Sequence, residues 1–174
     1  MTEFFTKNIS EIKIDEIISA KSVAMGLDVG EKTVGVAISD RRIKIASGVT
    51  TIARKGTDRD FELLLESVKY HKIGVVIFGW PLQMNGLAGK QCEKISEFAA
   101  QLSKYISADF VQWDERFSTK VVDNLMIHAN LSRKRRKEVV DRGAAIYILQ
   151  GAIDFMNNSA ANNRERSPLP LILE

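Results

Sequence analysis

The order of the short apolar runs constrains this chain more than any other feature. Three runs, AMGLDVG, TVGVAIS and IKIASGVTTI, follow one another closely between residues 24 and 52 and are separated by turn-forming or charged residues. Runs of this length and composition are typical of β-strands. Short connections between consecutive strands favour antiparallel pairing, so the sequence predicts a three-strand meander.

After these runs, segments with helical and strand periodicity alternate. Residues 58–72 and 90–107 carry apolar side chains at helical spacing, and each is followed by a short apolar run, GVVIFG or DFVQWDE. Two further helices are predicted over 117–130 and 137–156. The order β-β-β-α-β-α-β-α-α predicts an α/β fold with a mixed five-stranded sheet flanked by helices, in which βα crossovers follow the antiparallel meander.

Both ends of the chain lie outside this pattern. Residues 1–23 mix Phe and Ile with frequent charges, and we expect a short N-terminal extension that docks a helix on the body. Residues 24–156 form the predicted domain, and residues 157–174 are expected to be a flexible tail. The chain has neither a membrane-length apolar stretch nor a signal-peptide pattern, and its single cysteine excludes a disulfide framework. We therefore expect a cytoplasmic protein with no membrane partner.

Acidic residues interrupt three otherwise apolar segments. Asp28 lies inside the first run, Asp114 and Glu115 end the fifth, and Asp141 shares a helix face with Ala145. A buried carboxylate is costly unless it is paired or bound to a cation. Each residue also has a local interpretation: a turn cap, a solvated strand end, or an acid near a helix N-terminus. Only one residue of the adjacent pair can point to the same side of the sheet as the first-strand carboxylate.

Convergence of these carboxylates would require a positive charge among them. A divalent cation relieves their mutual repulsion. Because the ligands would be carboxylate oxygens, and the chain has few histidines or cysteines, Mg²⁺ or Mn²⁺ is the suitable metal. Two such ions about 3.5–4 Å apart could activate a water and stabilise the leaving oxygen in phosphodiester hydrolysis.

Four motifs in order resemble those of the YqgF/RuvX family. They are M-G-L-D-V-G-E-K-T-V-G-V-A-I-S-D, G-W-P-L-Q-M-N-G, D-E-R-F-S-T and V-V-D-R-G-A-A-I-Y-I-L-Q. The resemblance covers residues 24–156. It implies an RNase H-like fold and a nuclease related to Holliday junction resolvases and associated with maturation of the small-subunit ribosomal RNA precursor.

The resemblance also implies roles for individual residues. The acidic residues of the family fall on Asp28, Glu115 and Asp141, which would be both catalytic and metal-binding. The positions next to the site are, by the same match, Arg116, Ser118 and Thr119. An arginine there could hold a phosphate of the substrate.

A basic segment precedes the last of these acidic residues. It consists of Arg133, Lys134, Arg135, Arg136 and Lys137. Residues 131–142 carry a net charge of +4 although the whole chain carries only +3, so the remainder is nearly neutral. Such a run can be a solvated segment, but beside a site it suits nucleic-acid phosphates. We expect a flexible cationic hinge that binds nucleic acid.

The loop over residues 79–89 is either a structural turn or a wall that faces the substrate. Trp80 stands where the family usually has a smaller residue, and it could stack on a base. Asn85 stands where the family commonly has Asp. A metal or water contact that this Asp would make from the loop therefore cannot be carried over to Asn85. We assign Met84 and Cys92 to packing.

Several functions fit these observations. The favoured one is a metal-dependent endonuclease that acts on structured nucleic acid and processes the 5′ end of pre-16S rRNA in ribosome biogenesis. The alternatives are a Holliday junction resolvase acting on branched DNA and a non-catalytic RNA-binding factor of ribosome assembly. The segment D-V-G-E-K-T-V-G also resembles the first phosphate loop of actin-like ATPases, which need two such domains, whereas this chain holds one copy. Resolution of a symmetrical junction requires a dimer and RNA trimming does not, so the oligomeric state stays open.

Overall fold

Five strands and four α-helices make up the part of the chain that the structure describes. The structure is a computed structural model covering residue 5 and residues 7–56, 58–114 and 133–166, with the backbone alone for 133–142 and 162–166. The strands are β1 (Val23–Val29), β2 (Thr33–Ser39), β3 (Ala46–Ala53), β4 (Ile73–Trp80) and β5 (Asp109–Asp114). The helices are a short 3-10 helix (Ile9–Glu11), α1 (Ile14–Ser19), α2 (Asp58–Val68), α3 (Lys90–Leu102) and α4 (Arg133–Arg166).

The strands form one mixed sheet in the order β3-β2-β1-β4-β5. β1, β2 and β3 pair antiparallel, whereas β4 is parallel to β1 and β5 is parallel to β4. The predicted α/β fold, with a meander followed by βα crossovers, is confirmed, and it is the RNase H-like arrangement that the resemblance implies. The helix predicted over 117–130 lies outside the described residues.

Two apolar cores lie on opposite faces of this sheet. Alternate residues of β1 point to each face, so Met25 and Leu27 pack in the core beneath α2 and α3, while Ala24 packs in the core beneath α4. The second core includes the face of α4 that the sequence predicts to be buried, at Ala145, Ile148 and Ala152. The central strands are therefore apolar on both sides because helices cover both sides.

The N-terminal segment passes around the outer edge of the sheet. Phe5 packs against the core beneath α2 and α3, whereas Ile12 and Ile14 are buried in the core beneath α4. Between them, the Lys7 ammonium lies 2.9 Å from the carboxylate of Asp109 at the start of β5. The segment thus covers part of β5, the edge strand that would otherwise be open to pairing with another chain.

The last helix is longer at both ends than the sequence predicts. α4 begins at Arg133, so the basic segment 133–137 is the first part of a helix and not a flexible hinge. Arg and Lys favour helix, which explains this difference. The residues predicted as a loose tail from 157 onward are helical as far as Arg166, and Ser159 and Ala160 lie beside the N-terminal segment. Neither α4 nor another described helix is long and apolar enough to span a membrane.

α4 approaches the sheet most closely at a glycine of β1. A Cβ atom built on Gly26 would lie 2.6 Å from the Cβ of Leu149 and 3.1 Å from the carbonyl oxygen of Ala145. Real Cβ atoms do not approach this closely. Any side chain at this position would therefore push the helix away from the strand.

We expect Gly26→Ala to lower the free energy of unfolding by about 1–3 kcal/mol, because overpacking forces the helix to shift. Urea denaturation followed by circular dichroism measures this loss. Gly48→Ala is the matched control, since its Cβ would meet only the flexible end of Ile146, at 3.1 Å. Equal losses in the two variants would contradict the interpretation.

Candidate active site

Asp28 is a half-buried carboxylate in the central strand of the sheet. It pairs across the sheet with Gly35 of β2. Ala24 and Gly26, which share its side of β1 by alternation, lie against α4. Asp28 is therefore on the α4 face, near the carboxyl end of β1. Asp28 has interaction partners in this position.

The parallel strands bring three chain segments to the same edge of the sheet. β1, β4 and β5 run in the same direction, with Leu27 beside Phe78 and Trp80 beside Asp114. The carboxyl ends of these strands therefore meet near Asp28. This edge is where α/β folds place their functional groups.

Of the two acidic residues predicted at the end of β5, the structure describes Asp114. Trp113 faces α4, since its indole lies 3.1–3.3 Å from a Cβ built on Gly151. By alternation, Asp114 faces the other side of the sheet, away from the Asp28 face. Asp114 is exposed and has contacts of its own, and Glu115 lies outside the described residues.

The predicted acidic trio is only partly described. The structure includes the side chain of Asp28, whereas Glu115 and the side chain of Asp141 fall outside its description, as do Arg116 and the side chains of residues 133–137. Within the side chains that are described, no three His, Cys, Asp or Glu residues come together as a metal site. The trio and the phosphate-binding residues stay predictions.

Trp80 is buried at the base of the loop that follows β4. Its side chain is 4% exposed, and its ring lies edge-to-face with Phe5 at 5.1 Å between centroids. A buried ring offers no face to a base, so the structure assigns Trp80 to packing. Sequence reasoning missed Phe5 as its partner, because Phe5 lies in the N-terminal extension, whose Phe and Ile residues fit neither helical nor strand periodicity.

The tip of the same loop is exposed. Met84 is 95% exposed, so its assignment to packing is wrong, whereas Cys92 is 1% exposed and its assignment is confirmed. Asn85 is exposed, and its side-chain oxygen accepts a hydrogen bond from the backbone N–H of Leu87 at 3.0 Å. In this structure Asn85 therefore stabilises the turn.

The far end of the loop is attached to the end of β1. The Gln91 side-chain amide donates to the carbonyl oxygen of Val29 at 2.8 Å, one residue after Asp28. One turn of α3 further on, the Lys94 ammonium lies 2.7 Å from the Glu31 carboxylate. The hydrogen bond and the positive charge of Lys94 lower the pKa of Glu31. These contacts fix the loop and α3 against the edge of the sheet that carries Asp28.

Comparison with known proteins identifies relatives over most of the chain. Residues 22–155 match a family profile described as "RuvX: Holliday junction resolvase". A protein of Clostridium kluyveri named "Putative pre-16S rRNA nuclease" is 45% identical over 130 residues, which are 75% of this chain and 95% of that protein. A protein of Thermoanaerobacter pseudethanolicus with the same name is 43% identical over 135 residues, 77% of this chain and 97% of that protein.

A solved structure shares the fold. The resolvase of Fowlpox virus, in a crystal structure with substrate Holliday junction DNA, superposes with a TM-score of 0.50 at 12% sequence identity. The match covers 77% of this chain and 98% of the viral chain. At this identity the likeness extends to the fold alone.

The contact of Phe5 with Trp80 can be tested by fluorescence. In a Trp113→Phe background, where Trp80 is the only tryptophan, we expect Phe5→Ala to increase acrylamide quenching and to lower stability by about 1–2 kcal/mol, because an aromatic partner is lost. Tyr70→Ala, at a side chain 86% exposed, is the control and should change neither quantity. Unchanged quenching in Phe5→Ala would show that Trp80 is shielded by other groups.

Proposed function

We propose, on the premise that this chain belongs to the RuvX family, that it is a nuclease hydrolysing phosphodiester bonds in structured nucleic acid, with precursor 16S rRNA as the preferred substrate. The observation that carries the proposal is Asp28, a half-buried carboxylate on the α4 face at the carboxyl end of β1. The names of the bacterial relatives support the RNA substrate. The description of the family supports branched DNA as the second candidate.

The direction of α4 supports Asp141 as a partner of Asp28. Leu149 and Ala145 approach Gly26, while Gln150 donates to the carbonyl of Lys44 near the amino end of β1, so α4 runs opposite to β1. One helical turn advances about 5.4 Å and two strand residues about 6.6 Å. The turn of α4 before Ala145 includes Asp141. This turn is therefore level with Asp28, two residues after Gly26 on β1.

The alternation of β5 supports Glu115 as the third acidic residue. Val111 packs beneath α4 and Trp113 faces the same helix. If the alternation continues for one more pair, residue 115 shares the face of Asp28 and residue 114 does not. The motif match assigns the same residue independently.

The donor set fits a divalent cation. Asp28, Glu115 and Asp141 offer only carboxylate oxygens, the ligands that Mg²⁺ and Mn²⁺ prefer. When bound, one or two such ions would supply an activated water and positive charge for the leaving oxygen. The chain itself would hold the ionised carboxylates on rigid elements and bind substrate phosphates through Arg116 and the first turns of α4, residues 133–137.

We expect Asp28→Asn to abolish cleavage while leaving the fold intact or slightly more stable, because one of the repelling charges is removed. The assay uses a precursor rRNA fragment, a four-way DNA junction and duplex DNA with Mg²⁺ or Mn²⁺, together with thermal denaturation of each variant. Asp109→Asn is the matched control, since Asp109 begins β5 at the opposite end of the sheet.

Three outcomes of this assay would change the proposal. Full metal-dependent cleavage by Asp28→Asn would contradict the assigned site. Cleavage of the junction but not of the RNA would favour the resolvase. Binding that survives both EDTA and loss of all three carboxylates, with no cleavage by the wild-type protein, would instead identify a non-catalytic RNA-binding factor.

We expect replacement of residues 133–137 by Gln to weaken binding to every nucleic acid by a similar factor. Each lost phosphate contact should make the slope of log affinity against log salt shallower by about 0.9 on duplex DNA. Affinities measured at several salt concentrations test this. Arg41→Gln with Arg42→Gln, in the β2–β3 turn at the far end of the sheet, is the control. An unchanged slope in the residue 133–137 variant would exclude the segment from the interface.

A further inference from the structure

The tip of the loop between β4 and α3 carries two exposed apolar side chains. Met84 is 95% exposed and Leu87 is 63% exposed. Single exposed apolar residues are ordinary on protein surfaces. These two are three residues apart on one turn, however, and the Trp80 side chain at the base of the same loop is buried. The apolar side chain at the base of the loop, Trp80, is therefore buried, whereas the two at its tip, Met84 and Leu87, are exposed to solvent.

The tip is held in place by its own hydrogen bonds. The backbone N–H of Gly86 donates to the carbonyl of Gln83 at 2.8 Å, and the N–H of Gln83 donates to the carbonyl of Leu87 at 2.9 Å. Gly86 has φ of +80°, a conformation that glycine adopts without strain. Met84 is thus presented on a preformed turn, so a ligand that contacts it need not order the loop.

The loop belongs to the edge of the sheet that carries the proposed site. It leaves β4 beside β1, and it returns to α3, where Gln91 is hydrogen-bonded to Val29 at 2.8 Å. Residues 81–92 include no acidic residue, and Lys90 is exposed at the end of the loop. The loop therefore begins and ends at the edge of the sheet where β1 ends after Asp28, and it carries no negative charge that would repel a polyanion.

We propose that Met84, supported by Leu87, stacks on an unpaired base of the substrate near the bond that is cut. The inference rests on the proposed nuclease function and adds a determinant of substrate choice. Apolar side chains on loops stack on bases or insert between them, and a thioether is polarizable and adapts to a planar surface. Bases of a continuous duplex already stack on one another, so the tip favours nucleic acid with unpaired bases next to a helix.

The test measures binding without cleavage in an Asp28→Asn background. Two RNA hairpins of equal length are compared, one fully paired and one with unpaired nucleotides beside the site that the wild-type protein cuts, with 2-aminopurine at an unpaired position. We expect Met84→Ala with Leu87→Ala to bind the second hairpin about tenfold more weakly, to lose the change in 2-aminopurine fluorescence and to bind the paired hairpin unchanged. Met84→Phe with Leu87 intact should retain the fluorescence change.

Ile45→Ala is the matched control. Ile45 is also 63% exposed, but it lies in the turn before β3, at the opposite end of the sheet. Because both sites are exposed, circular dichroism should show the same fold for all variants. The control variant should bind both hairpins as the parent protein does.

Other results would overturn the inference. Unchanged affinity for the unpaired hairpin, or equal weakening on both hairpins, excludes base stacking by the tip. A change in molecular mass by light scattering with unchanged RNA affinity would identify the tip as a contact between copies of the chain. If the wild-type protein neither binds nor cleaves any nucleic acid, the proposed nuclease function fails together with the inference. This result is distinguishable from failure of the inference alone, in which the wild-type protein binds and cleaves but the tip variants behave as it does.

Discussion

The close contact between α4 and β1 positions the two elements that carry Asp28 and Asp141, residues of the proposed site. Gly26 lacks a side chain where Leu149 and Ala145 approach the strand, so the helix lies directly on the sheet. That distance determines how far the first turns of α4 stand from the carboxyl end of β1. Asp28 and the segment with Asp141 belong to these two elements, and their separation follows from a contact that lies outside the site.

The N-terminal segment supports the same edge from the other side. It crosses the outer strand, contacts the start of β5 through Lys7 and reaches Trp80 through Phe5. The family profile begins at residue 22, so these contacts are made by residues that precede the matched region. The base of the loop beside the proposed site is therefore packed by a part of the chain that the family match does not include.

The sequence predicts the sheet well because strand signals are local. β-branched runs separated by turns determine β1 to β5, and the buried face of α4 follows from its helical spacing. The ends of α4 are predicted less well, because Arg and Lys favour a helix as readily as they form a solvated segment. Of the site, Asp28 was identifiable because a carboxylate inside an apolar strand is unusual.

The side chains at the base and at the tip of the loop between β4 and α3 are harder to predict. Trp80 and Met84 are both apolar residues beside turn-forming residues, and nothing local distinguishes the buried one from the exposed one. The difference depends on Phe5, which is close in space and distant in sequence. Local patterns do not include such long-range partners.

The contact between Gly26 and Leu149 also bears on how the protein is made. Positions 26 and 149 are 123 residues apart, so a ribosome must add more than a hundred residues after Gly26 before α4 can cover its face of the sheet. Contacts of such long sequence separation slow folding, because the entropy of loop closure is lost before they form. A nascent chain that ends before α4 holds Asp28 without the helix that faces it, so the proposed site is incomplete until α4 has been synthesised.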